Sequence, residues 1–224
     1  MSADALVTRF LMPTIVVPMN HRSTSMSVGY SDDHHDELTY RTQRFPTPFG
    51  DIDVTINDHA IVASHYIMGP GTTDPDIADP AAASSMSKAQ RHLFTQIGEQ
   101  LDEYFSGTRQ AFTLPMSIED GPTEFTKSVR EEMSHISPGD VLTYGELAEA
   151  AGRPRAARAV GSVCRTNPIQ LFIPCHRVVA AGGSLGGYMG GARVLVLKQQ
   201  LLEREGVPFT TDGKIDFREL GRRR

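Results

Sequence analysis

Three features of the sequence predict a mixed α/β (α+β) fold built in two units. Residues 45–67 alternate apolar and polar positions and are rich in β-branched side chains, the mark of short strands. Residues 87–107 carry an apolar stripe of helical period. Residues 144–165 read as two short helices around a tight Gly-Pro turn, a helix-turn-helix pattern.

The elements follow in order. "TPFGDIDVTINDHAIVASHYIM" is predicted as a hairpin or short meander, with Pro48-Gly50 and Asn57-Asp58 as turns. "GPGTTDPDIADPAAAS" interrupts the sheet as a loop. A helix is expected from an N-cap at Ser87 to a stop at Gly107, burying Leu93, Phe94, Ile97, Leu101, Tyr104 and Phe105, and "AFTLPM" follows as a closing strand. The second unit opens with the helix "TEFTKSVREEMSHI". The two helices of the motif come next, the second running from Arg155 to Arg165, and "PIQLFIP" is expected as a buried strand that delivers Cys175 at its end. "GGSLGGYMGG" is a glycine-rich loop, and the helix "VLVLKQQLLERE" ends at Gly206 and Pro208. The expected organisation is a poorly ordered extension over 1–44, a β-sheet/helix domain over 45–118, a helical domain over 119–208 and a tail over 209–224.

Composition narrows the class. With 224 residues, 39% of them apolar, the chain can bury a core of its own. Two cysteines are too few for a disulfide framework or a four-cysteine zinc site, which points to a reducing compartment. His34 and His35 sit in the polar run "SDDHHDE", where adjacent side chains seldom converge on one ion, so no metal is expected. "FLMPTIVVPM" is broken by two prolines and falls well short of the about 20 residues that span a bilayer; no membrane association and a cytoplasmic location are expected. The net charge of -5 is unevenly spread: residues 141–224 hold 13 Lys and Arg against 7 Asp and Glu. A basic C-terminal part can meet a phosphate backbone while the acidic part faces away.

The second helix of the motif is almost bare. Ala156, Ala157, Ala159 and Gly161 leave Arg158 as a lone long side chain, with Arg155 and Arg165 at the ends. Such a helix cannot read base edges across the wide major groove, but it fits a narrow minor groove. Further on, "IPCHRVV" sets a thiol directly before an imidazole. A free thiol of pKa ~8.5 needs a base within reach to act as a nucleophile. His176 is the nearest, yet neighbours on a regular strand point to opposite faces, so the pair requires a backbone turn or a bridging water. Glu203 or Glu205 could orient the imidazole.

The run "TYGELAEAAGRPRAARAVGSVCRTNPIQLFIPCHRVVAAGGSLGGYMGG", followed by "LLEREG", resembles the O6-alkylguanine-DNA alkyltransferase family, and "TPFG", the helix and "FTLP" are similar to its N-terminal domain. The resemblance implies a ribonuclease H-like first domain and a winged-helix-like second. It implies direct-reversal repair, in which an alkyl group moves once from O6 of guanine, or O4 of thymine, to the protein's own cysteine after base flipping. Carried onto this sequence, it makes Cys175 the acceptor, His176 a water-linked base and Glu205 its carboxylate, the choice over Glu203 resting on alignment across an insertion in "ARVLVLK". Asn167 would tie the turn after the recognition helix to the cysteine segment, and Tyr144 would contact the rotated nucleotide and the departing guanine. Arg158 would fill the gap in the stack, with Ala157 beside it, while Thr126, Arg153 and Arg165 meet phosphates. Tyr188, Met189, Val178 and Pro174 would line the lesion pocket; Cys164 falls beside them, where core filling is the simpler role. No cofactor is implied, and the partner is double-stranded DNA carrying O6-alkylguanine, bound through its minor groove by a monomer. Where the family carries a tryptophan in the helix of "FTKSVREEM", this chain has Arg130 and no Trp anywhere. The alternative is a non-catalytic alkyltransferase-like protein that binds lesions without chemistry. In those relatives the cysteine is replaced, whereas position 175 here is Cys.

Overall fold

The sheet begins earlier than the strand pattern indicates. In the computed structural model, which describes residues 39–67, 86–118, 123–187 and 192–221, β1 spans Arg41–Phe45, four residues ahead of the boundary expected at 45. It pairs antiparallel with β2 (Ile52–Ile56), which pairs antiparallel with β3 (Ile61–Tyr66), in the order β1-β2-β3. The turns are those the sequence marks. Gly50 takes φ +119, and Asn57 Oδ1 accepts from the N–H of His59 and of Ala60, both at 2.8 Å. The central strand is covered on both faces: Ile52, Val54 and Ile56 enter the core, while buried Asp53 accepts a two-pronged bond from Arg44 at 2.7 and 2.8 Å. Of the extension expected over residues 1–44, residues 1–38, with His34 and His35, lie outside the described residues, and 41–44 belong to β1; the loop expected over 69–84 also lies outside the described residues.

Helix α1 (Lys88–Ser106) has the predicted ends: Ser87 and Gln90 form a reciprocal capping box, and Gly107 closes it at φ +90. Its apolar stripe lies on the sheet, with Phe94 6.2 Å from Phe45 between ring centroids. "AFTLPM" does not form a strand. Phe112, Leu114 and Met116 alternate into the core as an extended segment should, but only a single parallel bridge joins Met116 to Ile61. Pro115 has no N–H with which to lengthen the ladder.

In the second unit, α2 (Glu124–Ser134) starts at the N-cap Thr123, and β4 (Leu142–Thr143) leads into α3 (Tyr144–Ala150) through a Thr143–Glu146 capping box. Helix α4 (Ala157–Arg165) begins two residues later than the helix expected from Arg155. Strand β5 (Val178–Val179) pairs parallel with β4, and α5 (Ala192–Arg204) closes the unit.

"PIQLFIP" is not a buried strand. Ile169 bridges to Ser64 of β3, the chain then turns through Leu171 at φ +70, and the N–H of Ile173 donates to the carbonyl of Ile169 at 2.9 Å. Prolines at 168 and 174 remove the donors that a ladder needs at both ends. The segment therefore joins the two units: Ser64 N donates to Pro168 O at 2.8 Å and Ser64 Oγ to Gln170 O at 2.8 Å. One apolar core runs through both units, with Phe112 4.7 Å from Phe172 between ring centroids.

The C-terminal segment expected as a tail from 209 is folded as far as Gly221. Phe209 bridges to Ile215, and Ile215 and Phe217 are buried with Val141, Val179, Leu202 and Val207. Ile215 sits in that bridge and Phe217 in the turn that follows, and both side chains reach the same apolar cluster. Among the described residues no helix is long and apolar enough to cross a membrane.

Candidate active site

The turn at residues 168–174 positions the thiol. Asn167, next to Pro168, is buried and points its amide across that turn: Nδ2 donates to Ile173 O at 2.8 Å and faces Cys175 Sγ at 3.2 Å, while Oδ1 accepts from Ile169 N at 3.3 Å. A side-chain amide thus replaces the ladder partner that the prolines exclude.

Cys175, His176 and Arg177 form one turn of 3-10 helix, so the strand alternation that separated thiol from imidazole does not apply. His176 is fully buried. Its Nε2 lies 3.1 Å from Glu205 Oε1, and its Nδ1, also buried, has no hydrogen-bond partner among the described residues. Glu205 rather than Glu203 is therefore the carboxylate at the imidazole; Glu203 accepts from Gln199 at the surface. Glu205 sits one residue past α5, where the chain still follows the helix (Glu205 N to Leu201 O, 3.1 Å) before Gly206 turns away at φ +82.

The sequence reading missed three partners of this cluster. Arg177 grips Glu205 with both prongs, Nε to Oε2 at 2.9 Å and Nη2 to Oε1 at 2.7 Å, and also donates to Ile136 O. Tyr104 reaches in from α1 and donates to Glu205 Oε1 at 2.6 Å. Lys198, fully buried on α5, donates to Val178 O at 2.6 Å and Leu185 O at 2.7 Å. Each carried a signal: a cation inside an apolar run ("FIPCHRVV", "VLVLKQQ") and a phenol on an apolar stripe all need buried partners.

These contacts set the charges. Burial alone would raise the Glu205 carboxyl, but His176 and Arg177 together hold it far below the usual carboxylate range. Burial lowers His176, and the charges of Arg177 and Lys198 push the same way against the pull of Glu205, so the ring is neutral at neutral pH. Burial brings Lys198 down to about 8 and pushes the thiol of Cys164 up to about 12. Cys164 Sγ packs 3.9 Å from Met133 Sδ, the geometry of core filling.

Tyr144 caps the other side. Its hydroxyl donates to Gly187 O at 3.0 Å, and its ring lies so close to Gly186 that a Cβ there would come within 2.8 Å of it. Val178 and Pro174 are buried beside Cys175 in the chain, while Tyr188 and Met189 lie outside the described residues. Arg153, Arg155, Arg158 and Arg165 are all exposed around the helix-turn-helix, with Arg153 stacked 5.0 Å over the ring of Phe125. Ala157 and Thr126 are half-buried, the latter with Oγ1 3.0 Å from Thr123 Oγ1. Arg130, where the resemblance leads one to expect a tryptophan, is buried and donates to Thr166 O at the end of α4 at 3.2 Å.

Fold and site together describe a helix-turn-helix protein with a buried cysteine next to an imidazole–carboxylate pair. Two family models match it in tandem: the ribonuclease-like domain of 6-O-methylguanine DNA methyltransferase over residues 40–118 and its DNA binding domain over 124–207. The methylated-DNA–protein-cysteine methyltransferase of Methanosarcina acetivorans is 42% identical over 114 residues, covering 51% of this chain and 70% of that protein. The Metallosphaera sedula protein of the same name is 36% identical over 163 residues, covering 72% and 90%. Among solved structures, Mycobacterium tuberculosis OGT in complex with DNA superposes with a TM-score of 0.59 at 29% identity, covering 74% of this chain and 91% of that one. The chain belongs to the 6-O-methylguanine DNA methyltransferase family.

Proposed function

We propose that this protein repairs DNA as a methylated-DNA–protein-cysteine methyltransferase, taking a methyl or larger alkyl group from O6 of guanine, and from O4 of thymine, onto Sγ of Cys175. The observation that carries the reading is the buried Cys175 thiol with the Asn167 amide 3.2 Å from its sulfur and, next to it in the same turn, His176 paired with Glu205 from the end of α5. The relatives named for this activity support it.

The step is an in-line displacement: the Sγ–C bond forms as the C–O6 bond breaks. The thiol proton moves toward His176 Nδ1, the ring nitrogen that Glu205 leaves unoccupied, by way of a water. The departing guanine takes up a proton from water, which balances the one given to His176, and Tyr144, half-buried beside the glycine loop, stabilises the base as it leaves. The thioether is not reopened, so each molecule reacts once.

A thiol buried to 1% exposure cannot reach a stacked base, so the nucleotide has to leave the duplex, at a cost of a few kcal/mol that a weakly paired lesion lowers. The bare surface of α4 enters the minor groove and Arg158 occupies the gap, while Arg153, Arg165 and Thr126 hold phosphates. The protein acts as a monomer. A lesion-binding role without chemistry is the weaker reading, because it leaves the cysteine and its hydrogen-bonded partners without a use.

Intact-mass measurement after mixing with an O6-methylguanine oligonucleotide tests this. One added methyl per protein, mapped to Cys175 and absent from Cys175→Ser, is expected. Methyl on Cys164, or turnover beyond one per protein, would overturn it.

A further inference from the structure

The relay carboxylate is shared between the two units. Glu205 Oε1 accepts from three donors, Tyr104 at 2.6 Å, Arg177 at 2.7 Å and His176 at 3.1 Å, whereas Oε2 accepts from Arg177 at 2.9 Å. Two of these groups belong to the cysteine turn, but Tyr104 comes from the first unit, 101 residues away in sequence. Its ring is held on several sides: Phe105 and Phe112 each lie 5.0 Å away between centroids, and the guanidinium of Arg204 stacks at 4.2 Å. The phenol is buried to 0% exposure, so its hydroxyl is fixed on Glu205 rather than exchanging with solvent. Burial and the carboxylate push its ionisation well above the usual phenol range, so it remains a donor at every working pH.

A donor on a carboxylate oxygen withdraws charge from it. The shorter Tyr104 bond competes at Oε1 with the longer bond to His176, weakening the hold of Glu205 on an imidazolium. We infer that Tyr104 is a positioning residue of the alkyl-transfer relay: its hydroxyl sets the orientation of Glu205 and limits how strongly that carboxylate draws on His176, tying the chemistry of the second unit to correct seating of the first. The inference rests on the reading of Cys175 and His176 given under Proposed function. The other charged groups facing the imidazole are Arg177 beside it and Lys198 from α5, with Arg204 of α5 facing the phenol; all are cations, and none supplies the neutral donor that Tyr104 does.

Tyr104→Phe removes the hydroxyl and keeps the ring that Arg204, Phe105 and Phe112 pack against. With one donor fewer, Glu205 favours the imidazolium more, so the midpoint for His176 moves up in pH. Glu205 also loses the bond that orients it, so the single-turnover rate with free O6-benzylguanine, which needs no DNA, should fall by about three- to tenfold near neutrality, where the ring is still largely neutral. The acidic limb of its pH profile should shift upward by about half a unit. NMR titration of the His176 ring in wild type and variant reads the same shift without any reaction. A slower variant with an unmoved limb and an unmoved His176 titration would show a merely structural role and overturn the inference. If the wild type takes up no alkyl group, the functional reading fails with it, whereas the His176 titration still reports whether Tyr104 governs the imidazole.

Discussion

Asn167 Nδ2 faces Cys175 Sγ at 3.2 Å while also donating to Ile173 O at 2.8 Å, so a single buried amide both shapes the turn and touches the sulfur. Asn167→Asp keeps the shape, loses the donor and sets a negative charge against the thiolate. Alkyl transfer to free O6-benzylguanine should slow by about tenfold or more, and denaturant unfolding should show a loss of ~1–3 kcal/mol, because a carboxylate oxygen replaces the donor facing the Ile173 carbonyl, which keeps its bond from Cys175 N. An unchanged rate would mean that the amide serves the turn alone.

Glu205→Gln should slow transfer by ~10- to 100-fold with DNA affinity nearly intact, and it should also unfold more easily, because the Arg177 guanidinium loses its buried counter-charge, a change worth about 3–5 kcal/mol. Glu203→Gln, at the surface, should do neither.

The same residues make the fold acid-sensitive. Both His176 and Glu205 have folded pKa values below their unfolded ones, 6.5 and 4.5, so below those values the unfolded chain binds more protons than the native one. Stability is present above each unfolded value and is lost as pH falls toward the folded value. Thermal melts should show the midpoint dropping first below pH 6.5 and more steeply below pH 4.5. In Glu205→Gln the second drop should be reduced.

Arg158 and Arg153 should fail in different ways. Arg158→Ala should lower the transfer rate more on duplex DNA than on a single strand or free O6-benzylguanine, since only the duplex requires unstacking. Arg153→Ala should weaken binding to all sequences and change the log-log salt slope by about one. Equal losses for Arg158→Ala on duplex and free base would remove the gap-filling role.

At Gly186 the backbone has φ +70 and an added Cβ would sit 2.8 Å from the Tyr144 ring, against two atoms of a side chain that is itself hydrogen-bonded to Gly187. Gly186→Ala should therefore cost about 1–3 kcal/mol and displace Tyr144. Melting and the rate with O6-benzylguanine should fall together, whereas Gly182→Ala, in open space, should leave both unchanged.

Local chemistry made several elements legible in the sequence. Ser87 and Gly107 bound α1 because caps act within a turn of the chain; Asn57 bends the β2–β3 hairpin with its own side chain; the bare α4 and the Asn-Pro and Pro-Cys-His-Arg runs carry the family resemblance that points to the candidate site. Strand prediction for "AFTLPM" and "PIQLFIP" failed because an alternating apolar run reports only which side chains are buried. Whether a ladder forms depends on donors, and Pro115, Pro168 and Pro174 lack them. The tail from 209 reads as polar and short, yet two side chains find a face that exists only once β5 and α5 are in place.

What the tertiary structure alone decided is the environment of the carboxylate. Glu203 and Glu205 are equivalent in sequence, and two residues further along a helical path is a rotation of about 200°. That rotation sends Glu203 to solvent and Glu205 inward to His176, Arg177 and Tyr104. Residue type and spacing determine that a thiol, an imidazole and a choice of acids are available. Which acid meets the imidazole, and that a phenol 101 residues distant shares it, follows from the docking of α1 against the end of α5, a long-range packing result that no local propensity encodes.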